Sequence, residues 1–166
     1  MSQLITIIQS HDEIFKGVKI ESSYLAKRWV DNQGNDNFDN LVFDEEYLIL
    51  FRQLFFDARA NVMSALSAYF KHLPEVTMYF DSQDATTNND FIIQLLMPGH
   101  YLMAMNEPVN NKMKEFIIAH IMHRWLMPKL PNEAGIYLHQ SETFMADMKR
   151  YLEMRTKPLR RKGRFI

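Results

Sequence analysis

The chain has 166 residues, 19 Lys and Arg against 20 Asp and Glu, a 47% apolar fraction and no Cys. These values describe one globular domain long enough to build a core. The lack of Cys excludes a disulfide scaffold, a thiolate zinc site and a cysteine nucleophile. No run of about 18 apolar residues occurs, so no membrane-spanning helix is expected. The N-terminus, MSQLITIIQS, has no basic leader region and no long apolar stretch, so no signal peptide is expected either. The 12 Met are read as flexible core filler.

Leu4 to Ile8 is short and β-branched and predicts a strand or an extended arm. Ser10 followed by Glu13 has the spacing of a capping box and opens the first helix. Ile14, Val18, Leu25 and Trp29 then recur at helical intervals. Asp31 to Asn40 is rich in Asn and Asp, whose side chains compete for backbone groups, and predicts a loop. Asp44, Glu45 and Glu46 place negative charge where a helix dipole favours it. From there one long helix is predicted to run from about Glu45 to His72, with Pro74 as its stop.

The period then changes. Val76, Met78 and Phe80 alternate with Thr77, Tyr79 and Asp81, and Phe91, Ile93, Leu95 and Met97 alternate with Ile92, Gln94 and Leu96. Two such runs predict an antiparallel β-hairpin around residues 75–97, with Ser82 to Asp90 as its polar connection. A third helix starts near Asn106-Glu107-Pro108, with Pro tolerated in the first turn, and carries Val109, Met113, Phe116, Ile117, Ile121 and Trp125 on one stripe. After Pro128 to Pro131, a fourth helix runs to about Met154 with Ala134, Tyr137, Ser141, Phe144, Met148 and Tyr151 facing inward. The short connection makes these two helices an antiparallel pair. The expected fold is therefore mainly α (α+β): about four helices in a bundle, one inserted antiparallel β-hairpin, and a single domain over 1–154.

Residues 155–166 form a basic tail, RTKPLRRKGRFI. Arg155, Lys157, Arg160, Arg161, Lys162 and Arg164 stand there without an acid, so the rest of the chain carries all 20 acids against 13 bases. Segregated charge of this kind points to a partner, while a solvated terminus is the ordinary alternative. Phe165 and Ile166 add an apolar tip that a docking peptide would use. The residues expected to bind a partner are Arg155, Lys157, Arg160, Arg161, Lys162, Arg164 and Phe165.

No constellation in the chain carries catalysis. His120 and His123 share a helix face, and His100 and His139 could join them in space, but zinc needs three or four ligands and no second motif supplies them. A packed or hydrogen-bonded role is the expected one, and no metal or cofactor is assigned. Glu45 and Glu46, and Asp81, Asp84 and Asp90, sit at a helix start and in a polar loop, where solvated charge is the ordinary state. Ser10, Ser64 and Ser141 lack the context of a nucleophile elbow. No phosphate-binding Gly-rich loop is present. Tyr47, Phe51, Phe55, Phe56, Tyr69 and Phe70 read as core rather than a base-stacking platform, because their helix is only lightly basic.

The run from Phe116 to Ile166 resembles the C-terminal part of small helical proteins encoded in phage and prophage structural gene clusters. The residues that carry the likeness are His123-Arg124-Trp125-Leu126, the Leu130, Pro131, Glu133, Ala134 and Tyr137 helix start, and Arg160 to Phe165. Asp12 to Phe15 and Lys19 to Ser22 are similar too. The resemblance implies a head–tail connector (adaptor) type of virion assembly protein, a helical bundle that oligomerises through an arm and a terminus. On that basis the chain is expected to be non-enzymatic and to act in the virion or the host cytoplasm. It is expected to bind sister copies and other virion proteins, with no membrane partner. The rival expectations are a nucleic-acid-associated module using the tail bases, and a His-dependent metal protein.

Overall fold

The computed structural model describes residues 2–33, 38–70 and 90–156. In chain order these form β1 (Ser2–Gln9), α1 (His11–Gln33), the single turn α2 (Phe38–Leu41), a 3-10 turn (Glu45–Tyr47), α3 (Leu48–Ala65), a 3-10 turn (Ser67–Tyr69), β2 (Phe91–Pro98), a 3-10 turn (Met103–Met105), α4 (Asn106–Leu126) and α5 (Pro131–Leu152). The class is mainly α (α+β): four long helices with a two-stranded antiparallel sheet.

α1 starts where Ser10 predicts. The Ser10 Oγ accepts the Glu13 amide at 3.4 Å. The reciprocal half of the capping box is absent, because the Glu13 carboxylate reaches across to Lys114 on α4 at 2.9 Å. The His11 amide is capped from far away instead, by Asp90 Oδ1 at 3.0 Å. Ile14, Val18, Leu25 and Ala26 are buried along α1's inner stripe.

The segment between α1 and α3 is sewn to the body by side chains. The Phe43 amide donates to the buried Ser22 Oγ at 2.9 Å, and that hydroxyl donates to the Lys19 carbonyl at 3.0 Å. Trp125 Nε1 donates to the Leu41 carbonyl at 2.9 Å, and Lys129 Nζ donates to the Asn40 carbonyl at 2.7 Å while lying over the Trp125 ring. These bonds seat Phe43 among Phe15, Tyr47, Phe51 and Trp125, with ring centroids 4.7–6.3 Å apart. Edge-to-face packing at such distances adds about 0.5–1.5 kcal/mol per pair beyond area burial.

The long helix expected over Glu45 to His72 is divided. Its first turn is 3-10, capped by Asp44, whose carboxylate accepts the Glu46 amide at 3.1 Å. The α-helical part ends at Ala65. There Leu66 turns wholly into the core, and Phe70 adopts an extended backbone at φ −83° and ψ 130°. The apolar stripe continues past Ala65, but it is followed by a tighter turn that brings Tyr69 and Phe70 onto the core. His72 and Pro74 lie outside the described residues.

The strand at 91–97 forms as expected, but its partner among the described residues is the N-terminal segment. β1 and β2 pair antiparallel over all eight residues, Ser2 opposite Pro98 through Gln9 opposite Phe91. The pairing is a matter of faces. Ile5, Ile7 and Gln9 on β1, and Phe91, Ile93, Leu95 and Met97 on β2, are all buried on the same side, so both strands serve one core. Nearness in sequence favours a hairpin, whereas burial here joins segments more than 80 residues apart. The expected strand at Val76, Met78 and Phe80, and the 82–89 connection, lie outside the described residues.

α4 and α5 form the expected antiparallel pair. Met113, Ile117, Ile121, Met122 and Leu126 of α4 are fully buried, and Ala134, Tyr137, Ser141, Met148 and Leu152 face them from α5. Tyr137 Oη donates to Glu21 on α1 at 2.8 Å, and Arg28 pairs with Glu133 at 2.7 Å, so α1 is bound to α5 by polar contacts as well.

Candidate interaction surfaces

The ribbon of β1 and β2 has two apolar faces. One is core. The other carries Leu4 opposite Leu96 and Ile8 opposite Ile92, with Thr6 opposite Gln94 between them. Leu4, Ile8 and Ile92 are 60%, 53% and 50% exposed. Such a face is apolar where a half-solvated sheet normally alternates to polar residues. Neither strand contains a charged residue. Natural edge strands are usually blunted by charge, bulges or cover. Among the described residues, no backbone hydrogen bond beyond β2 engages β1. Eight residues extend about 27 Å, a length suited to pairing or sheet stacking.

The signal for this surface is present in the sequence, since Leu4 to Ile8 is uncharged and β-branched. What sequence reasoning misses is the identity of its neighbour, and hence that Leu4 and Ile92 share one face.

The root of the basic tail is anchored beside the end of β2. Arg155 forms a bridge to Tyr101, the Thr156 amide donates to the His100 carbonyl at 2.9 Å, and the Leu102 amide donates to the Met154 carbonyl at 3.3 Å. The Arg155 guanidinium donates to the Leu152 and Met154 carbonyls at 2.9 and 3.2 Å. It therefore satisfies the Leu152 carbonyl at the C-terminus of α5 and complements the helix dipole. Of the seven residues expected to meet a partner, Arg155 is thus engaged within its own subunit. Lys157, Arg160, Arg161, Lys162, Arg164 and Phe165 lie outside the described residues. Beneath the anchor, Tyr101 is buried with no hydrogen-bond partner for its hydroxyl, and burial raises its pKa while the Arg155 charge opposes the rise.

The four histidines do not converge. His120 Nε2 lies 2.8 Å from Asp57 Oδ2, with Arg124 Nε 3.8 Å from the same oxygen. His123 Nδ1 faces the Ala134 carbonyl at 2.9 Å and ties α4 to α5. His100 offers its carbonyl to the tail root, and His139 is exposed on α5. No group of three or more potential metal ligands occurs among the described residues. Glu45 pairs with Lys19 at 2.7 Å, which holds its pKa below the usual carboxylate value. Asp90 serves as the cap of α1, and Asp81 and Asp84 lie outside the described residues. Phe51 and Phe55 are core, as expected, while Phe56 stands at the surface with Arg59 over its ring at 5.4 Å.

No described helix is long and apolar enough to cross a membrane. Comparison with protein-family models, with curated proteins and with solved structures finds no match to this chain.

Proposed function

We propose that this chain is a non-enzymatic assembly protein of the phage or prophage head–tail connector type, working in the virion or the host cytoplasm. In this reading it joins sister copies and neighbouring virion proteins through the outer face of the β1–β2 ribbon and through the basic tail. The observation that carries the reading is the ribbon's uncharged, apolar outer face, with Leu4, Ile8 and Ile92 at least half exposed. A protein surface does not keep such a patch without a partner unless aggregation is tolerated. The tail root at Arg155 and Thr156 is fixed to the body, so whatever follows is delivered from a set place near Gly99 and His100.

The test is assembly of two variants. Leu4→Lys with Ile92→Lys places charge on the ribbon face. A truncation after Thr156 removes the tail but keeps the Arg155 cap. Both are expected to unfold cooperatively like the parent and to lose higher-order association measured by light scattering over a concentration series. Unchanged association of both would refute the reading.

The tail's bases, free of any acid, also favour a nucleic-acid role as a second reading. That role requires affinity for duplex DNA that falls steeply with salt, through counterion release, and that vanishes in the truncation.

A further inference from the structure

We infer that a second copy of this chain docks on the solvent face of α1, in a two-fold dimer separate from the ribbon and the tail. Midway along α1 the face turned from the core carries Lys16, Ile20, Tyr24 and Lys27. Ile20 and Tyr24 are 56% and 70% exposed. Among the described residues no carboxylate pairs with Lys16 or Lys27. Next to this stripe stands its opposite. Glu46 is exposed in the 3-10 turn that precedes α3, and Ile49, one turn on in α3, is 76% exposed.

The two patches are neighbours, because the Lys19–Glu45 ion pair at 2.7 Å lies on their common border. One patch is basic with apolar residues and the other is acidic with an apolar residue. Laid face to face they match in both charge and hydrophobicity, with apolar side chains central and charges at the rim, as in ordinary interfaces. Their adjacency decides the symmetry. Patches on opposite sides of a molecule would build a head-to-tail chain or ring. Patches side by side on one surface are brought together reciprocally by a two-fold axis, here passing near Lys19 and Glu45. Lys16 and Lys27 stand about 16 Å apart along α1, so Glu46 of each copy then meets one of these two lysines of the other, and Ile20 and Tyr24 meet Ile49.

The inference stands apart from the ribbon and tail, and the test keeps them apart. Three proteins are made: the parent, K16E/K27E and E46K. Sedimentation of the parent is expected to show a monomer–dimer equilibrium that shifts to monomer as salt screens the rim charges. Each variant alone is expected to dimerise at least tenfold more weakly. Mixed, they are expected to form a heterodimer, because one interface half pairs reversed charge with reversed charge and the other half is parental. Tagged K16E/K27E should therefore capture untagged E46K well above untagged K16E/K27E. Association through the ribbon or tail would capture all combinations equally. Ile49→Ser, which leaves every charge in place, should also weaken the parent dimer. A parent that stays monomeric at all concentrations overturns the inference. So does a K16E/K27E variant that dimerises like the parent, or a mixed pair that associates no better than either variant alone. Parent protein that binds anionic vesicles through these lysines without dimerising would instead assign the stripe to a lipid surface and overturn it as well.

Discussion

The aromatic seam around Phe43 and the outer face of the ribbon use the same kind of residue in opposite ways. At the seam, Phe43 and Phe51 are fully enclosed, Trp125 nearly so, and the loop between α1 and α3 is sewn over them by Ser22, Trp125 and Lys129. On the ribbon, Leu4, Ile8 and Ile92 stand at equal apolarity with no described cover. The seam spends its apolar area on folding this chain. The ribbon leaves comparable apolar area exposed, and the proposed partner-binding role rests on that exposure.

The largest difference between the two regions is expected from shortening a side chain in each. Phe43→Ala should cost about 3–5 kcal/mol in urea unfolding, because it leaves a cavity among four rings. Leu4→Ser or Ile92→Ser should cost only about 1 kcal/mol, the scale of a lost cross-strand pair and of β-propensity. A cost of several kcal/mol at Leu4 would mean that the ribbon face is covered within the subunit, and the contrast would fail.

Next in size is Ser22→Ala. The hydroxyl is the acceptor for the buried Phe43 amide, so its loss should cost about 1–3 kcal/mol. A neutral result would show that the loop over the seam is held by packing alone.

A gain instead of a loss is expected at Gly135. A Cβ there would meet nothing within 4 Å, so Gly135→Ala should raise stability by about 0.5–1 kcal/mol through helix propensity. Gly17 is the control, since a Cβ there would fall 2.5 Å from Ile118 Cδ1, where α1 crosses α4. Gly17→Ala should gain less than Gly135→Ala in the same thermal melts, because Ile118 must move. Equal gains would mean that the α1–α4 contact yields at no cost.

Local patterns were enough for much of this molecule. Ser10 marks the start of α1, Pro131 the start of α5, and the stripes of α4 and α5 name residues that are buried, apart from Phe144 and Tyr151, which are partly buried. Each of these rests on contacts within a few residues, which spacing along the chain encodes directly. The sequence also makes plain that the last twelve residues are basic and that Cys chemistry is excluded.

Other features were decided only by tertiary structure, since they depend on which distant segments share a face. β2 takes β1 as its neighbour because Ile5 and Ile7 complete the same buried layer as Ile93 and Leu95. Asp90, legible only as a loop acid, caps a helix that begins 79 residues earlier. The helix after Glu45 stops at Ala65 and tightens into a 3-10 turn that brings Tyr69 and Phe70 onto the core, although its apolar periodicity runs on. Arg155, first of the tail bases by sequence, caps α5, because its position places it within reach of the Leu152 carbonyl, which the helix cannot satisfy for itself. Spacing reports which side chains lie on one side of an element. Only the packed molecule reports what stands opposite, and the opposing group decides whether a residue is core, cap or surface.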